Sequence, residues 1–142
     1  MIERVVFDTS TLMGALLKAG STPHRALMLA LDSCAIYSCE QALQELTDVL
    51  SRSHFDRYVS PADRAKFAAL VQERFEILRI DEVEAASLEP SCRDPKDNFV
   101  FALALAAEAD AIVSSDHDLL ALDPWRGIPL LTPARFVAQS AA

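Results

Sequence analysis

The sequence predicts an α/β fold, a three-layer α/β/α sandwich in which helices cover both faces of a parallel sheet. Short β-branched and apolar segments alternate along the chain with segments that carry helix start signals and helical spacing. The length of 142 residues suits one domain, and a hydrophobic content of 51% supplies a sizeable core. We therefore predict a single domain over residues 1–142 with five strands.

The first strand is predicted over Ile2–Phe7, which contains a β-branched pair, and Asp8 ends it. Ser10 is expected to cap a helix over Thr11–Lys18. The next helix is expected to begin at the Ser21-Thr22-Pro23 sequence, because proline suits the first helical turn.

That second helix is predicted to run to about Ser33 and to be followed by a short strand, Ala35–Ser38. A third helix is predicted over Glu40–Leu50, with apolar residues at helical spacing. A serine at 60 with an acid three residues later predicts a fourth helix, ending near Arg74. Phe75–Ile80 then fits a strand, although its last five residues could instead extend the helix.

The last third of the chain repeats the alternation. The predicted elements are a helix from Asp94-Pro95-Lys96-Asp97 to about Ala107, a strand Ala111–Ser114, a short helix from Asp116, a strand Ile128–Leu131 and a helix from Thr132-Pro133. Pro129 predicts that the fifth strand lies at an edge of the sheet, because proline cannot donate a ladder hydrogen bond.

The formal charge is −8, from 21 acidic and 13 basic residues, which excludes a broad basic face for non-specific DNA binding. A nuclease stays possible, because clustered carboxylates attract metal ions that in turn meet phosphate. The N-terminus lacks signal-peptide features, and the longest apolar run, Phe99–Ala107, is too short to span a bilayer. Three cysteines without a C-x-x-C pair favour reduced thiols, so we expect a cytoplasmic protein.

Two acids follow predicted strands. In an open parallel sheet, ligands bind beyond the carboxyl ends of the strands, where the strand order reverses. Asp8 and Asp116 each come directly after a strand, and they would share one crevice if those strands are neighbours. The alternative is that each acid is only a turn residue or a helix cap.

Asp97 lies in the first turn of a helix that is apolar nearly all round and is therefore expected to be buried. A helix dipole stabilises an acid there, so Asp94 and Asp97 could also be a capping pair; we assign capping to Asp94. Glu45 falls at the edge of the apolar stripe of its helix, where a glutamate is usually just solvated.

Grouped carboxylates would suit Mg²⁺ or Mn²⁺, hard ions that prefer oxygen ligands. Such metals lower the pKa of an attacking water and stabilise charge on phosphate. The candidate ligands are Asp8, Glu45, Asp97 and Asp116. Asp118 could bind a second metal, and hydroxyls that could hydrogen-bond the carboxylates are those of Thr9, Ser10 and Ser114.

Read together, these positions resemble the PIN-domain ribonucleases. VVFDTSTLMGALL is similar to the family's first strand with its aspartate, Asp8, and ALQELTDVL to its glutamate-bearing helix, with Glu45. The most specific segment, RDPKDNFVFALALAAEADAIVSSDHDLLAL, matches Asp97, Asp116 and Asp118. Ser114 stands where the family often has threonine. The resemblance extends from about residue 2 to 137 and is nearest to the bacterial VapC-like branch of toxins from toxin–antitoxin pairs.

The resemblance implies a sheet order of 3-2-1-4-5, which places the strands before Asp8 and Asp116 side by side. It also implies Mg²⁺- or Mn²⁺-dependent cleavage of RNA phosphodiesters, with Asp8, Glu45, Asp97 and Asp116 as the catalytic set and Asp8, Asp97, Asp116 and Asp118 as metal ligands. Frequent homodimers and inhibition by a cognate antitoxin are further implications.

Four basic residues are candidates for RNA contacts: Arg93 and Lys96 beside the acids, and Arg52 and Arg57 after the Glu45 helix. Phe55 and Tyr58, next to the second pair, could stack on bases. We favour the alternative that these two aromatics anchor a loop to the core. Trp125 and Arg126 are expected to cap the core near the sheet edge.

Two other functions remain open. A catalytically silent PIN-like interaction module would fit the charge of −8, although all four acids are present. A phosphatase with Asp8 as nucleophile usually has a second acid two residues later, and position 10 is a serine.

Overall fold

The protein is described by a computed structural model that covers residues 2–91 and 98–140. The strands are β1 (Arg4–Phe7), β2 (Ala35–Cys39), β3 (Glu76–Leu78), β4 (Ala111–Val113) and β5 (Leu130–Leu131). The helices are α1 (Thr9–Leu17), α2 (Thr22–Ser33), α3 (Glu40–Leu50), α4 (Pro61–Arg74), α5 (Glu82–Ala86), α6 (Asn98–Ala107), α7 (His117–Leu120) and α8 (Pro133–Ser140), with a short 3₁₀ helix at Ser53–Arg57 between α3 and α4.

The strands form one five-stranded sheet in the order β3-β2-β1-β4-β5, and every neighbouring pair is parallel. This confirms the predicted fold and strand order, including β5 at an edge. In the central pair, Phe7 of β1 lies opposite Val113 of β4. The residues that follow both strands therefore emerge side by side at the carboxyl edge of the sheet.

Both faces of the sheet are buried, as expected for parallel strands that helices cover on each side. Val5 and Phe7 point into a core with α1, α2, α3, α4 and α8, whereas Val6 points into a second core with α5, α6 and α7. The change of face between successive residues follows from the two-residue period of a strand. α3 and α6 thus lie on opposite faces of the sheet.

The helix starts show where the sequence signals hold and where they fail. Ser21 and Ser60 cap α2 and α4, as predicted. The prediction of Ser10 as the cap of α1 is wrong, because the helix starts two residues earlier than predicted, at Thr9. Asp8, still extended, accepts a hydrogen bond from the amide of Thr11 and so takes the cap itself.

The segment after α4 forms a strand, β3, as predicted, although β3 is shorter than the predicted strand. The alternative, an extension of α4 into this segment, is wrong. α5, which Asp81 caps, was not predicted. The predicted start of α6 at 94–97 lies outside the described residues, whereas its end at Ala107 is as expected. Within the described ranges, no helix combines the length and the apolar character needed to cross a membrane.

The aromatic residues after α3 behave differently from each other. Phe55 is half-buried and packs against the core, as predicted. The same prediction is wrong for Tyr58, which is 67% exposed because the turn after the 3₁₀ helix carries it outward. Trp125 is buried and stacks on Phe101 of α6, and Arg126 lies over its ring, in agreement with the predicted cap of the core.

Candidate active site

The ends of β1 and β4 bring Asp8 and Asp116 to one place through a buried serine. The Ser114 hydroxyl donates a hydrogen bond to Oδ2 of Asp8 at 2.5 Å. The same Ser114 oxygen accepts the backbone N–H of Asp116 at 3.0 Å. Ser114 is fully buried and Asp8 is 6% exposed, so this link is shielded from water. The predicted adjacency of the two acids is therefore present in the structure.

Both acids are also helix caps, as the alternative interpretation stated. Asp8 accepts the amide of Thr11 at 2.9 Å and the hydroxyl of Ser10 at 3.3 Å. Asp116 accepts the amide of Asp118 at 2.8 Å and begins α7. Capping and ligand binding are not exclusive, because a carboxylate has two oxygens and about four lone-pair sites.

A cleft of about 590 Å³ opens above these acids, between the start of α1, one side of α3 and the first turns of α6. Its polar lining includes Asp8, Asp116, Thr9 and Ser10, and Glu45 lies on the α3 wall. The hydroxyl of Thr9 is 3.3 Å from Oε2 of Glu45, to which it donates a hydrogen bond. The exposed Glu45 is thus tied to the residue next to Asp8.

α3 turns a continuous polar stripe toward the cleft. Gln41, Gln44, Glu45 and Asp48 line it at the spacing of one helical face, and Arg52 lines it from two residues beyond the end of the helix. Sequence reasoning missed Asp48, although its position three residues after Glu45 is a signal that could have identified it.

The apolar part of the lining comes from both walls and from the sheet. Phe99, Val100 and Leu103 of α6 contribute to it, together with Cys39 at the end of β2. Burial raises the pKa of the Cys39 thiol, and the carboxylates of Glu40 and Glu45 add to the rise. The thiol is therefore protonated and neutral near pH 7, so it adds no charge to the cleft.

The remaining predicted residues are placed less centrally or lie outside the description. Asp118 is exposed and does not line the cleft, and neither does Arg57 of the 3₁₀ helix. Asp97, Arg93 and Lys96 are not among the described residues.

Comparison with known proteins gives the family. Residues 4–118 of the sequence match the PIN domain family, which is more than half of the chain and includes all of the acids discussed above. The chain belongs to the PIN domain family. A search of curated proteins finds no significant match.

Solved structures share the fold of this PIN domain at low sequence identity. PAE2754 from Pyrobaculum aerophilum has a TM-score of 0.62 and 17% identity, over 99% of this chain and 90% of that one. VapBC2 from Rickettsia felis, bound to a DNA fragment from its promoter, has a TM-score of 0.62 and 16% identity, over 91% of this chain and 98% of that one. VapC20 from Mycobacterium tuberculosis, a sarcin–ricin-loop-cleaving toxin, has a TM-score of 0.57 and 16% identity, over 82% of this chain and 93% of that one.

The donor chemistry of this PIN domain fits a hard divalent ion. The strand-end side chains that face the cleft offer carboxylate and hydroxyl oxygens, the ligands that Mg²⁺ and Mn²⁺ prefer. Within residues 2–91 and 98–140, no group of three acids, histidines or cysteines is close enough to form a complete metal site. Asp8 and Asp116 are the two described acids at the strand ends that could hold such an ion, together with at least one further ligand.

Proposed function

We propose that this chain is a cytoplasmic, divalent-metal-dependent endoribonuclease that hydrolyses RNA phosphodiester bonds. The observation that carries the proposal is the pairing of Asp8 and Asp116 through Ser114 at the base of the cleft. Packing gives no reason to gather two carboxylates with a third, Glu45, at the edge of a sheet. Membership of the PIN domain family supports nuclease chemistry at this place.

Asp8 and Asp116, with Asp97, are the proposed ligands of Mg²⁺ or Mn²⁺, and Asp118 is a candidate for a second ion. When bound, the metal lowers the pKa of water and stabilises negative charge on phosphate. Ser114 holds the Asp8 carboxylate through its hydroxyl, so that carboxylate needs little reorganisation on binding. Glu45, held by Thr9, is proposed to orient the attacking water or to accept its proton.

We further propose that the protein is the toxin of a toxin–antitoxin pair and forms a homodimer. The shared fold with VapBC2 and with the RNA-cleaving toxin VapC20 supports this proposal. Expression of the chain alone should stop growth, and co-expression of a small reading frame next to its gene should restore it. Normal growth on expression of well-folded protein would count against the toxin role. Light scattering of the purified protein tests the dimer.

The direct test of the enzyme is cleavage of labelled single-stranded RNA with Mn²⁺, with Mg²⁺ and with EDTA. Asp8→Asn and Asp116→Asn should each lower the rate by more than the roughly 10- to 100-fold that loss of an outer partner costs. Asparagine remains a good helix cap, so both variants should stay folded. Cleavage that persists in EDTA or in both variants would contradict the proposal, and folded protein without any RNA cleavage would favour the silent interaction module.

A further inference from the structure

The acidic and basic residues of the cleft come from different elements. Asp8 and Asp116 lie at the end of the sheet, and Glu45 and Asp48 lie on the α3 wall. Arg52 is the one cationic side chain among the described lining residues. It lies two residues beyond the end of α3, whereas Glu45 lies in the middle of that helix. Arg52 therefore enters the cleft from the chain after α3, and Asp8 and Asp116 enter it from the ends of β1 and β4.

Arg52 is available for a ligand. Within the described part of the chain it makes no ion pair within 4.0 Å. Asp48, one turn before it, instead accepts a hydrogen bond from Gln44 at 2.9 Å. The Arg52 side chain is exposed at the cleft, so an anion can reach its guanidinium without displacing a protein partner.

The backbone at Arg52 is held by a second arginine, Arg64, which is 7% exposed on α4. Its Nη1 donates hydrogen bonds to the carbonyl of Leu50 at 2.8 Å and to that of Arg52 at 3.0 Å. Its Nη2 forms an ion pair with Asp56 in the 3₁₀ helix. The guanidinium thus satisfies carbonyls at the C-terminal end of α3, where the helix dipole also favours a cation.

This arrangement gives the buried Arg64 a role beyond packing. Three contacts from one guanidinium, to Leu50, Arg52 and Asp56, hold the chain where it leaves α3. They add to the backbone hydrogen bonds from the Arg52 amide to Val49 and from the Phe55 amide to Arg52. The planar fork of arginine suits this task, because its contacts come from two nitrogens, Nη1 and Nη2, whereas lysine carries its three donors on one nitrogen.

We infer that Arg52 binds a phosphate of single-stranded RNA beside the scissile one, and that Arg64 is the positioning residue that presents Arg52 to it. The inference rests on the proposed function and identifies which part of the cleft receives the flanking strand. The described acids would repel RNA along most of the cleft, so one presented cation has a large effect on the affinity.

Binding of fluorescein-labelled single-stranded RNA, measured by anisotropy with Mn²⁺ in an Asp8→Asn background, tests Arg52 without turnover. Arg52→Ala should raise Kd about three- to tenfold. It should also reduce the slope of log affinity against log salt by about 0.7, the value for one phosphate contact to a single strand. Arg57→Ala removes the same charge from the neighbouring 3₁₀ helix, outside the cleft, and should have a clearly smaller effect.

Arg64→Lys tests the positioning role in the same assay. It should raise Kd by part of the Arg52→Ala effect, and the double variant should bind no more weakly than Arg52→Ala alone, because Arg64 acts through Arg52. If Arg64→Lys does not fold, Asp56→Asn, which removes the partner of the ion pair from its exposed side, takes its place with the same expected coupling.

Three results would overturn the inference. The first is an Arg57→Ala effect as large as that of Arg52→Ala, the second is an additive effect of Arg64→Lys and Arg52→Ala, and the third is unchanged RNA binding by Arg52→Ala. Failure of the proposed function would look different, since the parent protein would then cleave no RNA whatever the Arg52 variants bind. A parent protein that cleaves RNA while Arg52→Ala binds normally would remove this inference alone.

Discussion

The hydroxyl of Ser114 donates a hydrogen bond to the carboxylate of Asp8 across 2.5 Å, and this contact joins the ends of two neighbouring strands. The same hydroxyl oxygen accepts the amide of Asp116. One buried side chain therefore sets the position of both strand-end acids. Its removal should disturb the site and the fold together, and the two effects can be separated.

Ser114→Ala leaves the Asp116 amide without its partner and leaves Oδ2 of Asp8 with only the 3.3 Å hydrogen bond from Ser10. We expect the free energy of unfolding to fall by about 1–3 kcal/mol and the RNA cleavage rate to fall roughly 10- to 100-fold. Urea unfolding and a cleavage assay measure the two effects.

Ser114→Thr is the matched control, since it keeps the hydroxyl and adds a methyl group at a position with no exposure. Overpacking should cost it about 1–3 kcal/mol, yet it should retain more activity than Ser114→Ala. Equal loss of activity in both variants would show that the hydroxyl is not what matters.

Glu45→Gln should reduce RNA cleavage at least about tenfold while changing stability by no more than about 0.5 kcal/mol, because Glu45 is exposed and serves no packing role. Glu73→Gln, an exposed glutamate of α4 outside the cleft lining, is the control for the lost charge. Cleavage rates under saturating metal compare the two. Similar rates for Glu45→Gln and Glu73→Gln would remove Glu45 from the proposed site.

Trp125→Phe should destabilise the protein by about 0.5–1.5 kcal/mol, the net contribution of one hydrogen bond. The indole N–H donates to the carbonyl of Pro90 at 2.6 Å, and phenylalanine would leave the carbonyl of this exposed residue to water. The stacking on Phe101, at 4.5 Å between ring centroids, would largely remain. Urea unfolding followed by circular dichroism measures the change. An unaltered unfolding midpoint would mean that the hydrogen bond contributes nothing to stability.

The stability of the fold should depend on Asp110 at low pH. Its carboxylate accepts the amides of Glu3 and Arg4, each at 2.9 Å, and these hydrogen bonds lower the pKa of Asp110 in the folded protein. A lowered folded pKa gives stability that is present above the unfolded pKa of about 4 and is lost as the pH falls through the folded value.

The parent protein should therefore lose stability as the pH falls below about 4, and Asp110→Asn should lose less. The free energy of unfolding, measured as a function of pH, shows the difference. Asp32→Asn, at an exposed acid of α2, is the comparison. Parallel pH profiles for Asp110→Asn and the parent protein would contradict the assignment.

Much of the fold could be predicted because its signals are local. The caps Ser21 and Ser60 act within one turn of their helices, and the strands are short apolar segments. The cap of α1 was assigned to Ser10 instead of Asp8, since both are good caps and only the end of β1 decides between them. α5 has five residues, too few to show a periodic pattern.

The site was predictable where it depends on topology and not where it depends on side-chain contacts. Asp8 and Asp116 could be paired because each follows a strand and the resemblance to PIN domains implies that the two strands are neighbours. The hydrogen bond from Thr9 to Glu45 joins residues 36 positions apart and has no sequence signal. The burial of Arg64 against the end of α3 is likewise a tertiary effect, because arginine is normally a surface residue.

The central claim is that the strand-end carboxylates hold a divalent ion. Anomalous diffraction from crystals soaked in Mn²⁺ tests it most directly, because the signal locates the metal without assumptions about ligands. We predict an anomalous peak within coordination distance, roughly 2.0–2.4 Å, of carboxylate oxygens of Asp8 and Asp116. A fully soaked crystal with no peak in the cleft, or with its peak away from both residues, would contradict it.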